Sequence, residues 1–234
     1  MDNAEFLQTL KSSFVTYLRT SPRSNKKLVM LHGKISKDIV SRLGSGYEVA
    51  SLGYREGKEK TINGHYIDKT VDITVMCGEV AIVAIEVKYV MSNYKQNSNN
   101  YFENMLGATA NLRRANVPCF QIFVIPDKIP YFDKAGKIKH WDEIDSRNLQ
   151  KYVNLSNDNP EIFMHTPTKT LLYVVHFSEP EQPLNTRREY SRYYKTNDFD
   201  VTISDKLSAE FGNALVYNDY EKFAEKVAYY IKSI

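Results

Sequence analysis

The sequence predicts an α/β fold in which a central mixed β-sheet is flanked by helices. Two runs rich in β-branched residues, at positions 71–76 and 80–90, are separated by a three-residue turn and are typical of a hairpin. Apolar residues at helical spacing follow over 101–115, and a short apolar run then ends at Pro126. The order strand, strand, helix, strand is typical of an α/β core with a crossover helix.

The flanking segments predict further helices and strands around this core. Apolar spacing predicts additional helices over residues 4–18, 28–43 and 219–232. Alternating or apolar runs predict additional strands over residues 47–54 and 171–177. The remaining C-terminal stretches are loop-rich, and no internal repeat or linker interrupts the chain. We therefore expect a single domain that spans residues 1–234.

Composition excludes several classes of protein and leaves the partner open. The 234 residues are 42% hydrophobic and 25% charged, which is ordinary for a globular domain. No apolar run reaches about 18 residues, and the first 20 residues lack the apolar block of a secretory signal. We expect a cytoplasmic protein with no membrane contact. The net charge of +3 permits a nucleic-acid partner without requiring one.

Three polar side chains interrupt the otherwise apolar hairpin. Asp72 stands at the start of its first strand, and Glu86 and Lys88 stand in the middle of the second. Because side chains alternate along a strand, Glu86 and Lys88 share one face while Val87 points to the other. Asp72 lies opposite Glu86 if paired residue numbers sum to 158, and on the wrong face if they sum to 157. The register is therefore a requirement that the structure tests.

A buried pair of carboxylates predicts a bound cation. Without a partner, two such groups cost several kcal/mol through desolvation and mutual repulsion. Oxygen atoms of Asp72 and Glu86, the Val87 carbonyl and waters match the octahedral preference of Mg²⁺. Lys88 on the same face is placed to contact an attacking water and a phosphate.

This pattern resembles the PD-(D/E)XK nuclease superfamily, whose signature is an acid on one strand and an acid, any residue and lysine on the next. The match is Val71-Asp72 and Glu86-Val87-Lys88, with Val71 where the name of the signature has proline. The elements over residues 27–126 are similar to its restriction-endonuclease-like core. The resemblance implies Mg²⁺-dependent hydrolysis of DNA, with Mn²⁺ as a substitute, Asp72 and Glu86 as metal ligands and Lys88 at the attacking water.

Other residues are weaker candidates for the site. The superfamily often has a further acid on an upstream helix, and Asp38 or Glu48 are the candidates here, although a solvated helix face and a strand start explain them equally. His32 lies on an apolar helical stripe, and we interpret it as structural.

Two regions are candidates for contact with DNA. Lys69 precedes the first site strand and is placed to steer phosphate toward it. A downstream segment interleaves cations with aromatic residues, as phosphate and base contacts require: Arg187, Arg188, Tyr190, Arg192 and Lys195. The alternative is an ordinary surface on which nearby acids such as Glu189 pair with these arginines.

The function that the sequence favours is a restriction-type DNA endonuclease. Cutting of both strands also suggests a homodimer, because one site hydrolyses one strand at a time. The rival interpretation is a non-catalytic nucleic-acid-binding or protein-interaction module on the same fold. A third is a globular domain in which the motif arose by accident. Metal dependence separates the first from the others.

Overall fold

The computed structural model describes residues 1–20, 24–55 and 57–234. Its helices are α1 (Asn3–Arg19), α2 (Lys26–Leu43), α3 (Tyr94–Arg113), α4 (Ser146–Ser156), α5 (Arg187–Thr196) and α6 (Tyr220–Ser233). Its strands are β1 (Glu48–Ser51), β2 (Lys60–Ile62), β3 (Lys69–Val71), β4 (Ile73–Cys77), β5 (Val80–Tyr89), β6 (Cys119–Pro126), β7 (Lys128–Phe132), β8 (Ile138–Glu143), β9 (Lys169–Phe177), β10 (Val201–Ile203) and β11 (Leu215–Tyr217).

The central sheet is mixed, as the sequence predicts. Its strand order is β1-β4-β5-β6-β9-β10, with β11 also paired to β9. The pairs β1–β4 and β4–β5 are antiparallel, whereas β5–β6 and β6–β9 are parallel. The α/β class with a central mixed sheet flanked by helices is therefore confirmed.

The two faces of the sheet are covered by different helices. Val83, Ile85 and Val87 of β5 pack in one large cluster with apolar residues of α1, α2, α5 and α6. The other face of β6 and β9 packs against residues of α3 and α4. Because side chains alternate, Glu86 and Lys88 face the side of α3. The site residues thus lie on the face opposite to α5.

A shift of register in the β4–β5 hairpin gives the pairing that the site requires. Next to the turn Cys77 pairs with Val80, so paired numbers sum to 157. The register shifts between Met76 and Val75, and from there Ile73 pairs with Ile85, a sum of 158. A bulge of this kind absorbs one residue of the longer strand. Asp72, one residue before Ile73, therefore comes opposite Glu86.

Two hairpins and one helix lie where the sequence predicts loops. Strands β2 and β3 form a separate hairpin, and β7 and β8 form another. Helix α4 begins at a capping box, in which Asp145 accepts from the Asn148 N–H and the Asn148 side chain accepts from the Asp145 N–H.

In the described part of the chain, no helix combines the length and apolar content that a bilayer crossing requires.

Candidate functional site

Asp72 is held at the junction between β3 and β4. Its Oδ2 accepts a hydrogen bond of 2.7 Å from the Val87 backbone N–H of the neighbouring strand. A strand residue in an antiparallel pair directs its N–H and its C=O toward the same neighbour. The Val87 carbonyl therefore leaves β5 on the side of Asp72, where β4 has ended, and it remains a candidate ligand.

Glu86 is largely buried and only partly neutralised. One oxygen, Oε2, lies 3.2 Å from the Lys69 ammonium, while Oε1 has no hydrogen-bond partner among the described residues. Burial and, next in size, the nearby Asp72 carboxylate together raise the pKa of Glu86 from 4.5 to about 7, while Lys69 opposes the shift. The structure therefore brings Lys69 into the site as the partner of Glu86.

Lys88 projects from the same face of β5 as Glu86. Its ammonium lies over the ring of Tyr101 on α3, 4.1 Å from the ring centroid. Burial lowers the pKa of Lys88, and the Asp72 carboxylate acts in the opposite direction. The cation is thus held beside the carboxylates by an aromatic face.

These side chains line a cavity of about 260 Å³. Helix α3 forms one wall, and residues of β3, β5 and β6, with Asp72, form the others. The lining residues are Lys69, Asp72, Glu86, Val87, Lys88, Tyr101, Asn104, Met105, Ala108, Gln121 and Phe123. Gln121 pairs with Glu86 in the parallel ladder, which places a neutral amide beside the acid. The three residues of the motif therefore share one small cavity.

His32 and Glu59 approach Asp72 although neither was predicted to belong to the site. Ligand atoms of these three side chains lie within 4.8 Å of one another. His32 is 1% exposed, and neither of its ring nitrogens has a hydrogen-bond partner among the described residues. Burial lowers the pKa of His32, with Asp72 opposing, and raises the pKa of Glu59, with Asp72 adding to the rise. A purely structural role does not fully account for His32, because the ring nitrogens of a buried histidine normally have hydrogen-bond partners.

The proposed additional acids Asp38 and Glu48 lie elsewhere. Asp38 is buried and pairs with the Met1 amino group, with Arg42 at 3.1 Å and with the Tyr220 hydroxyl at 3.0 Å. Glu48 is exposed at the far end of the hairpin and pairs with Arg55 at 3.3 Å. Both carboxylates already have cationic partners, and neither lines the cavity. Glu59 is the further acid that the fold brings to Asp72.

The cationic and aromatic segment forms helix α5, and the structure contradicts the predicted contact of Tyr190 with DNA. Tyr190 is 6% exposed and packs in the core beside Phe14. Glu189 takes part in the capping box of this helix with Thr186, so it does not serve as the partner of the arginines. Arg187 lies 4.7 Å over the ring of Phe132. The exposed Arg188 and Arg192 and the partly exposed Lys195 share this helix on the far side of the sheet from Glu86.

The donor set around Asp72 fits a divalent cation. Buried polar atoms normally have partners, and the unpartnered His32 nitrogens lie within 4.8 Å of ligand atoms of Asp72 and Glu59. The unpartnered Oε1 of Glu86 belongs to the cavity that Asp72 also lines. A cation bound beside Asp72 would reduce the repulsion among these carboxylates, which Lys69 partly offsets.

Comparison of the chain with protein-family models, with curated proteins and with solved structures found no match in any of the three. The function of the site is therefore inferred from its own residues and their geometry.

Proposed function

We propose that this chain is a metal-dependent nuclease that hydrolyses phosphodiester bonds in DNA on a restriction-endonuclease-like core. The observation that carries the proposal is the convergence of Asp72, Glu86 and Lys88 on one face of the β4–β5 hairpin, in the required register. A set of acids with a lysine in one small cavity is suited to a reaction at a phosphate.

Five groups are placed to hold the cation. Ligand atoms of Asp72, Glu59 and His32 lie within 4.8 Å of one another, and Glu86 and the backbone carbonyl of Val87 adjoin Asp72 at the cavity. A divalent cation bound there supplies Lewis-acid stabilisation of a phosphate and a lower pKa for water. Mg²⁺ and Mn²⁺ both prefer oxygen ligands, but Mn²⁺, a transition-metal ion, accepts an imidazole nitrogen more readily than Mg²⁺ does. Both ions are proposed cofactors, and His32 gives Mn²⁺ the higher affinity.

The two lysines of the cavity have separate roles. Lys69 offsets the charge of Glu86 at 3.2 Å and opposes the rise in the pKa of Glu86 that burial causes. Lys88 is held over Tyr101, with its ammonium free of a carboxylate partner within 4.0 Å among the described residues. It can therefore donate to a phosphate oxygen or to the attacking water. Loss of such a donor lowers turnover by about 10²- to 10³-fold in comparable sites.

The test is incubation of the protein with supercoiled and linear DNA in Mg²⁺, in Mn²⁺ and in EDTA. We expect cutting in both metals, none in EDTA, and a loss of at least about 100-fold in Lys88→Ala. Lys139→Ala, an exposed lysine on β8, is the matched control and should cut like the unmodified protein.

Three outcomes would contradict the proposal. Equal cutting by Lys88→Ala would exclude the site. Binding of DNA by the folded protein without cutting would favour the non-catalytic module. The absence of both binding and cutting would indicate that the motif arose by accident.

Light scattering on the protein with DNA tests the homodimer, which cutting of both strands suggests.

A further inference from the structure

The tip of the β2–β3 hairpin, residues 63–68, exposes two large apolar side chains. Tyr66 and Ile67 are each 68% exposed, whereas Ile62 and Val71 in the two strands of the hairpin are buried. The ring of Tyr66 meets the ring of His65 edge to face, with centroids 4.6 Å apart. The hairpin thus packs by its strands and presents an apolar tip to solvent.

A buried asparagine of α3 holds this tip in one conformation. Asn111 Oδ1 accepts from the Tyr66 N–H at 2.8 Å and from the Ile67 N–H at 3.2 Å. Its Nδ2 donates to the Ile67 carbonyl at 2.9 Å, and its backbone carbonyl accepts from the His65 N–H at 3.0 Å. Rigid presentation of exposed apolar groups reduces the entropic cost of binding a partner.

The tip lies next to the cavity. Lys69 stands three residues after Tyr66, and its ammonium pairs with Glu86 inside the cavity. Three residues span at most about 11 Å. That distance corresponds to about three stacked bases at 3.4 Å each. A strand whose phosphate enters the cavity therefore passes within reach of the tip.

The chemistry of the tip fits base faces and does not fit phosphates. Its sequence, Asn63-Gly64-His65-Tyr66-Ile67-Asp68, contains no lysine or arginine and carries an acid. An aromatic ring stacks on any base, and a branched aliphatic side chain wedges between unstacked bases. A paired duplex hides the base faces and exposes its phosphates. The complement of this surface is therefore an unpaired or splayed base.

We propose that the hairpin tip binds unstacked bases and directs the site toward DNA that is unpaired within about three nucleotides of the cleaved phosphate. This inference rests on the proposed function, because the location of the phosphate defines what the tip can reach. The substrate class that it names is a duplex containing a bubble or a fork.

The experiment compares a fully paired 30-base-pair DNA with the same DNA carrying a three-nucleotide bubble. Binding is measured by fluorescence anisotropy in the Lys88→Ala background with Mn²⁺, so that the DNA is not cut. We expect the bubble to bind more tightly by about 5- to 150-fold, the range that one aromatic–base stack spans. The double substitution Tyr66→Ser and Ile67→Ser should abolish this preference and leave affinity for paired DNA unchanged. Tyr66→Phe, which keeps the stacking face, should retain it.

Val80→Ser is the matched control, because Val80 is 65% exposed at the turn of the adjacent β4–β5 hairpin. Equal affinity for the two DNAs, or a preference that survives the double substitution, would overturn the inference while leaving nuclease activity on supercoiled DNA intact. A further outcome separates the two proposals. If the double variant loses the preference for bubble DNA, the Val80→Ser control keeps it, and the unmodified protein never cuts DNA, the tip contact is supported and the proposed function is rejected.

Discussion

The pKa of Glu86 reflects its burial close to other acids. Its pKa rises from 4.5 to about 7, first because the side chain is buried and then because Asp72 lies nearby. The folded protein therefore retains a proton on Glu86 between these pH values that the unfolded chain releases. Without a cation, stability falls as pH rises from about 4.5 to about 7 and is level above that range.

Glu86→Gln should stabilise the metal-free protein at pH 8, because glutamine imitates the protonated acid. The expected gain in the free energy of unfolding is at most about 3 kcal/mol, from the rise of the pKa at 1.36 kcal/mol per pH unit. Urea unfolding in EDTA measures it. At pH 5 the gain should shrink to less than about 1 kcal/mol, and at pH 8 saturating Mn²⁺ should stabilise the unmodified protein more than the variant. A gain that is equal at pH 5 and pH 8 would contradict the burial of this charge.

His32 should determine which metal binds most tightly. Replacing its nitrogen ligand with an amide in His32→Gln is expected to lower Mn²⁺ affinity by about 10- to 100-fold and Mg²⁺ affinity much less. Calorimetric titration of both ions measures the two affinities. His165→Gln, at a half-exposed histidine paired with Asp158, is the control. Equal loss of both ions would show that His32 acts by packing alone.

At the residue scale, the sequence predicts the part of the site that lies within one hairpin. Alternation along a strand is enough to place Glu86 with Lys88, and a register condition then adds Asp72. His32 and Glu59 belong to a helix and a loop whose approach to Asp72 is set by tertiary packing. No spacing rule connects them, and the apolar stripe around His32 favours the structural interpretation. The burial of Tyr190 could not be predicted, because the sequence of this segment does not distinguish a buried tyrosine from an exposed one.

At the scale of elements, the contact between α2 and the loop after β1 sets the position of His32. A Cβ atom at Gly33 would lie 2.4 Å from the Gly53 carbonyl oxygen, so the two backbones touch. Gly53 has a φ of 73°, a conformation that suits glycine. His32 immediately precedes Gly33, and the close approach therefore brings its ring toward Asp72.

Gly33→Ala should destabilise the protein and weaken the cation site together. Overpacking against a backbone carbonyl costs about 1 to 3 kcal/mol, and the displaced helix carries His32 away from Asp72. Gly107→Ala is the control, because nothing lies within 4 Å of a Cβ atom at Gly107 of α3. That control should stabilise the protein by about 0.5 to 1 kcal/mol through helix propensity. Urea unfolding and Mn²⁺ titration give both quantities, and an unaffected Mn²⁺ affinity in Gly33→Ala would separate α2 from the site.

The elements of the core could be predicted from periodicity, while several outside it could not. Strands β4, β5 and β6 and helix α3 have long apolar patterns that their burial in the sheet enforces. Strands β2, β3, β7 and β8 are short and mostly half-exposed, so their sequences carry little alternation. Helix α5 has a capping box at Thr186 and Glu189 that could have identified it as an amphipathic helix.

At the scale of the whole molecule, the two ends of the described chain are joined through Asn3. Its Oδ1 accepts from the Tyr220 N–H at 2.7 Å, and its Nδ2 donates to Asp219 at 3.1 Å. Phe6 of α1 stacks on Tyr220 of α6 with ring centroids 4.1 Å apart. Both helices cover the same face of the sheet. Loss of this junction should therefore destabilise the whole fold.

The single-domain prediction can be tested by following two parts of the fold during unfolding. Trp141, the only tryptophan, lies on β8 and reports on the β7–β8 hairpin, whereas far-ultraviolet circular dichroism reports mainly on the helices. If the chain unfolds as one unit, both signals have the same urea midpoint. Asn3→Ala should shift both midpoints equally, through a loss of about 1 to 2 kcal/mol. Asn185→Ala, at an exposed asparagine, should shift neither. A shift of the helical signal alone would show that the β7–β8 hairpin folds independently of α1 and α6.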